Sequence, residues 1–293
     1  MAKNTPTTNY QLLAVVGPTA SGKSGLAIKL ARELNGELIC ADSLTVRKHV
    51  DIGSAKPSRE EQEMVPHHLL DVAEPCADFT AADFKRLADA AIADIGSRGK
   101  LPILVGGTGL YLDAVLYNFQ FLPSGDRAER EKLNQMSLTE LQQKVAKEGI
   151  NVDGIDTQNK RRLVRLIETG GARPERSELI PGTIIAGINP AALELKKAIS
   201  ARVNKMIRSG LEAEVQALAN QYGWECEALK GIGYREWQAY FEDKNDLEMT
   251  KQNIISSTNN LAKRQRTWLK RNKHINWFSS PDTAYYWLQK QSF

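Results

Sequence analysis

Cysteine and histidine are scarce: three and four residues in a chain of 293. Cys40, Cys76 and Cys226 stand at spacings that match neither a zinc site nor a disulfide framework, which predicts a reduced, cytoplasmic protein. No apolar run approaches the roughly 18 to 20 residues needed to cross a bilayer, so no membrane contact is expected. The opening residues MAKNTPTTNYQ hold no apolar core of a leader, and neither export nor import is expected. Internal repeats and low-complexity stretches are also absent. What remains is a globular composition, 42% hydrophobic and 25% charged, in a chain long enough for a large core with a second lobe. The net charge of +4 is modest, yet from residue 251 onward eight Lys or Arg face a single acid, Asp282. That local excess suits a surface that meets a polyanion.

Residues 17 to 24, Gly17-Pro18-Thr19-Ala20-Ser21-Gly22-Lys23-Ser24, form a complete G-x-x-x-x-G-K-[ST] phosphate loop. An apolar run at 12–16 predicts a buried strand before it, and the periodicity of 24–34 predicts a helix after it. Loop amides and the helix N-terminus attract an anion, Lys23 adds a charge, and the Ser24 hydroxyl can ligate magnesium. The motif predicts binding of a di- or triphosphate without saying which.

Strand-like and helix-like runs then alternate: strand 37–41, helix 80–97, strand 101–105. This order predicts an α/β fold, a P-loop NTPase-like parallel sheet with helices on both faces. The core domain is expected over residues 1–117 and 172–293. Residues 118–171 lack any convincing strand and read as a helical insertion domain. Beyond it, 183–190 predicts a further core strand, and 191–218 and 250–273 predict long helices. Ligands of such sheets bind beyond the carboxyl ends of the strands, so the turns after the first three core strands should converge.

The second turn begins with Asp42. It suits three roles: a carboxylate that helps hold magnesium, a general base, or a cap on the turn shared with Ser43. The third turn, Gly106 to Tyr111, offers close backbone approach and the Thr108 hydroxyl. His67 and His68 are not read as metal ligands, because neighbouring side chains point apart in a strand or helix. In the insertion, Lys160, Arg161, Arg162 and Arg165 place cations at helical spacing, with Arg161 and Arg165 on one face. Lys263-Arg264-Gln265-Arg266-Thr267-Trp268 interleaves bases with an amide and an indole, a mixture that contacts phosphates and stacks on unpaired bases, although Trp268 equally suits a core. Gly231-Ile232-Gly233-Tyr234-Arg235 adds a further basic-aromatic pair.

GPTASGKS (17–24), ADS (41–43), DIGSAKP (51–57), HHLLD (67–71), GGTGLY (106–111), KRRLVRLIE (160–168), GIGYRE (231–236) and KRQRTW (263–268) together resemble the tRNA dimethylallyltransferases, in family order and over nearly the whole chain. The resemblance departs at Thr45 and Arg47, where the family usually carries Gln and Tyr. It implies transfer of a dimethylallyl group from its diphosphate to the exocyclic amine of the adenosine 3′ of the anticodon. The phosphate loop, Lys23 and magnesium would grip the diphosphate, and Asp42 would take the amine's proton. Asp42 through Thr45, Thr108, Arg130, Arg161, Arg162 and Arg165 would contact the tRNA. So would Gly233, Tyr234, Arg235, Lys263, Arg264, Gln265, Arg266 and Trp268, with insertion and C-terminal helix clamping the anticodon stem-loop. The target base would leave its stack to reach the cleft. A monomer is expected, and no C-terminal zinc finger.

Three other readings compete. A small-molecule phosphate-loop kinase leaves the insertion and KRQRTW unexplained. An adenylate isopentenyltransferase has no need of the basic insertion. A nucleotide-gated RNA-binding protein gives Asp42 no proton to accept.

Overall fold

A computed structural model describes residues 12–123, 125–291 and 293; residues 1–11, read above as lacking a leader, lie outside them. Strand β1 (Leu12–Val16) leads through the phosphate loop into α1 (Lys23–Glu33). Then come β2 (Gly36–Ala41), α2 (Arg59–Met64), the short β3 (His67–His68), α3 (Ala81–Ser97), β4 (Leu101–Gly106) and α4 (Gly109–Leu116). The inserted segment carries α5 (Arg127–Gln135), α6 (Leu138–Lys147) and α7 (Lys160–Glu168). The core resumes with β5 (Thr183–Ile188), α8 (Ala192–Arg208), α9 (Leu211–Tyr222), α10 (Gln238–Phe241), α11 (Leu247–Leu269), β6 (Asn276–Phe278) and α12 (Pro281–Leu288).

All strand pairs are parallel, in the order β3-β2-β4-β1-β5-β6. Helices cover both faces, which explains why LLAVV and LPILVG are buried at every position instead of alternating. Because β2, β4 and β1 are parallel neighbours, the turns that leave them lie side by side at the carboxyl end of the sheet. Strands β3 and β6 are two and three residues long, too short to leave a periodic signal.

The helix expected over 191–218 is two helices. Its apolar periodicity continues across the break, but Gly210 at φ 97° turns the chain and starts α9. Helices α8, α9 and α11 enclose a second core around Tyr234 and Trp237, both at 0% exposure.

The chain divides into two compact units, residues 1–116 with 179–293 and residues 117–178. Residues 172–178, expected with the core, group with the insertion: Gln120 and Glu175 form an antiparallel bridge, and Ser177 donates to the Tyr117 carbonyl. This smaller unit has its own core of Leu133, Leu141, Val145, Leu163, Val164, Leu166 and Ile167.

One expectation fails outright. Cys76 and Cys226 form a disulfide, with Cα atoms 4.6 Å apart, while Cys40 is buried and free. Spacing along the chain carries no information about a bridge closed by the fold across 150 residues.

Candidate active site

The phosphate loop is built to leave donors unused. Gly22 caps α1 in the left-handed conformation without contributing a side-chain bond, so the first amides of the helix keep no side-chain acceptor. The Ser21 hydroxyl is buried against Gly17 without a hydrogen-bond partner. Lys23 donates to the Pro18 carbonyl at 3.3 Å. Burial, then the nearby Arg202 charge, lowers its pKa to about 8, against an opposing pull from Asp42. A cation held this way gains most when an anion arrives.

Asp42 leaves the end of β2 and folds back on its own turn. Its Oδ1 accepts the Leu44 amide at 2.8 Å and the Thr45 amide at 3.3 Å. The turn-capping role is therefore real, and it fixes the carboxylate without occupying Oδ2. The neighbouring strand end joins here: Ser43 donates to Thr108 Oγ1 at 3.3 Å. Thr19, Asp42, Ser43, Leu44, Arg202 and Gln265 share the lining of a cavity of about 180 Å³. A larger one of about 920 Å³ opens beside Ser24, Lys56, Arg202 and Lys205.

Arg202 was not singled out by sequence, since a lone Arg in a long amphipathic helix carries no signal. Its Nη2 donates to the Ser54 carbonyl at 3.0 Å. Burial lowers its pKa and Asp42 opposes the shift, so Arg202, Lys23 and Asp42 form one electrostatic set.

Other expected site residues are spent inside the fold. Tyr234 is fully buried and donates its phenol to Glu214 at 2.6 Å, so it cannot meet RNA. Gly233 is likewise buried, while Arg235 is exposed and paired with Glu236. Thr45 is buried at 6% exposure. Arg47 is not a surface cation: its Nη1 donates to the carbonyls of Glu74, Pro75 and Ala77. Gln265 accepts the Thr19 amide at 2.8 Å, which ties α11 to the phosphate loop. Trp268 donates to Asp113 at 2.8 Å and packs where a Gly109 side chain would stand.

Exposed cations remain. Lys263 and Arg264 are solvent-facing. Arg266 joins Lys196, Lys263 and Lys270 around a groove that also carries Asn259 and Asn260. In the smaller unit Arg130, Arg161 and Arg162 are exposed. Arg130 reaches Glu168 at 3.5 Å, and Arg165 is committed to the Leu122 and Pro123 carbonyls and to Glu168.

The family model described as IPP transferase matches residues 45–272. The chain belongs to the IPP transferase family. A tRNA dimethylallyltransferase of Anoxybacillus flavithermus is 38% identical over 93% of this chain and 91% of its own. Another, tRNA dimethylallyltransferase 1 of Trichlorobacter lovleyi, is 40% identical over 94% and 95%. The crystal structure of the tRNA isopentenylpyrophosphate transferase of Bacillus halodurans superposes with a TM-score of 0.74 at 32% identity, covering 96% of each chain. A eukaryotic dimethylallyltransferase solved acting on tRNA shares the fold, with a TM-score of 0.77 at 24% identity over 93% of this chain and 74% of its own. The family match spans the inserted unit and α11, and the relatives' coverage extends over most of the chain.

Proposed function

We propose that this chain is a tRNA dimethylallyltransferase that moves a dimethylallyl group from dimethylallyl diphosphate to N6 of the adenosine 3′ of the anticodon. The observation that carries the reading is the shared cavity in which Asp42 stands beside the phosphate loop and Arg202. The loop amides, Lys23 and Arg202 bind the diphosphate and stabilise the charge it gains as the allylic C–O bond breaks. The N6 lone pair forms the new bond to that carbon, and Asp42 Oδ2 accepts the proton that N6 gives up. The diphosphate leaves with the electron pair of the broken bond. Such positioned proton transfer contributes about 10² to 10⁴ in rate.

Magnesium is part of this proposal. Among the described residues no group of three or more His, Cys, Asp or Glu side chains could cage a metal. The exposed Ser24 hydroxyl at the start of α1 fits instead a cation bound through one protein oxygen and the ligand's own oxygens. When bound it supplies neutralising charge to the leaving group. For the RNA, Lys263, Arg264 and Arg266 on the core and Arg161 and Arg162 on the inserted unit offer phosphate contacts, with Thr108 beside the acceptor base. A single chain supplies Lys23, Asp42 and Arg202, so the reading requires no oligomer.

The test is incubation with labelled dimethylallyl diphosphate, magnesium and either unmodified tRNA or free AMP. Label in tRNA, lost in Asp42→Ala with tRNA binding kept, supports the assignment. Label on AMP alone favours the adenylate isopentenyltransferase, and phosphoryl transfer from ATP favours the kinase.

A further inference from the structure

Glu214, on α9, holds four donors with one carboxylate. Its Oε2 accepts the amides of Asp51 at 3.1 Å and Ile52 at 2.8 Å, and its Oε1 accepts the Gly53 amide at 3.1 Å and the Tyr234 phenol at 2.6 Å. Three successive amides turned toward one point form a backbone nest, a motif usually occupied by a ligand anion. Here the protein supplies the anion itself. Burial of Tyr234 and the Glu214 charge raise the phenol's pKa well above its ordinary value, so it remains a donor. The Tyr234 ring lies where a side chain at Gly53 would stand, within 2.5 Å of an ideal Cβ, so only glycine fits.

The loop so held carries a contact to the site. Ser54 follows the nest directly, its hydroxyl bonds the Val50 carbonyl at 2.6 Å, and its own carbonyl receives Arg202 Nη2. Gly53, Ser54, Gly231 and Gly233 line the same cavity as Asp42.

We infer that Glu214 is a positioning residue: by fixing residues 51–54 it sets the carbonyl that orients the Arg202 guanidinium, and thereby the strength of diphosphate binding. The inference rests on the reading of Arg202 as a diphosphate contact. It asks no chemistry of Glu214, whose carboxylate reaches the cavity only through the backbone amides it holds, Gly53 among them. Charge-assisted bonds make the clamp strong enough to act at a distance of one loop.

Calorimetric titration with inorganic diphosphate in magnesium buffer tests it on wild type, Glu214→Gln, Arg202→Ala and the double variant. Glu214→Gln is expected to weaken diphosphate about tenfold and to add little once Arg202 is already alanine. A merely structural role would move the melting temperature and leave that coupling at zero. Losses that multiply in the double variant, or unchanged affinity in Glu214→Gln, overturn the inference. Should Glu214→Gln not fold, Tyr234→Phe removes one of the four donors and must show the same non-additivity on a smaller scale, and Glu214→Asp must retain part of the affinity. Binding of inorganic diphosphate is read without any prenyl transfer. Wild type that binds diphosphate but labels no tRNA would therefore count against the proposed function and leave this inference standing.

Discussion

Glu37 shows how a single side chain is secured. It sits on β2 at 2% exposure and receives Arg98 at 2.5 and 2.7 Å, Lys100 at 2.7 Å and His68 Nε2 at 2.7 Å. The Arg98 hydrogen bonds, first, then those of Lys100 and His68, hold its carboxyl well below the usual carboxylate range against the cost of burial. A depressed folded-state pKa means stability that is complete above the unfolded value, near 4.3, and declines as pH falls below it. Glu37→Gln is therefore expected to cost about 2 kcal/mol at pH 7. Urea melts of both proteins at pH 7 and pH 3.5 check this: the gap should narrow at the lower pH, and an unchanged gap would contradict the account. At Asp42, the proposed base, the expectation is different in kind. Asp42→Asn retains an oxygen for the Leu44 amide but accepts no proton. Single-turnover prenylation is expected to fall at least about a hundredfold while the melting temperature shifts little.

Among the elements, α11 joins two tasks on one helix. Gln265 and Trp268 face inward, to the Thr19 amide and to Asp113; Lys263 and Arg264 face solvent. Neutralising Lys263 or Arg264 should lower the slope of log tRNA affinity against log salt by about one each, with melting unchanged. Gln265→Ala and Trp268→Ala should leave that slope alone, lowering diphosphate affinity in the first case and the melting temperature in the second. A salt slope altered equally by all four would mean that the inward residues meet RNA after all. The same helix explains what the sequence could reveal. Strand, phosphate loop and helix were legible at 12–34 because each is local and periodic, and Asp42 was legible because it ends a buried strand. Residue type identified KRQRTW as a cluster, but which members point inward depends on α4 and the phosphate loop, far away in the chain. Tyr234 was misread for that reason. Arg202 and Glu214 went unnoticed because single charges in amphipathic helices are ordinary, and their partners at 51–54 are distant in sequence.

For the whole molecule, connectivity matters as much as chemistry. The Cys76–Cys226 bridge closes a span of 150 residues, for which chain-entropy reasoning gives up to about 5 kcal/mol of stabilisation. Melting with and without dithiothreitol is expected to separate wild type but not Cys226→Ser. The inserted unit is joined to the core in the opposite manner, by two adjacent strands of chain. The Ile180 amide donates to the Leu116 carbonyl at 3.1 Å, so the core's two cut ends already touch. Residues 117–178 also bury their own apolar cluster instead of borrowing one. Replacing them with a short Gly-Ser linker therefore removes little from the main core, and loop closure over so short a gap costs little entropy. The phosphate loop, Asp42 and Arg202 all stay in the remaining chain. The shortened protein should bind inorganic diphosphate within about twofold of wild type, since every residue proposed for that site belongs to the remaining chain. Its tRNA affinity should fall by tenfold or more, because Arg161 and Arg162 go with the excised segment. Diphosphate binding lost along with tRNA binding would show that the anion site depends on the inserted unit, contrary to the division of labour argued here.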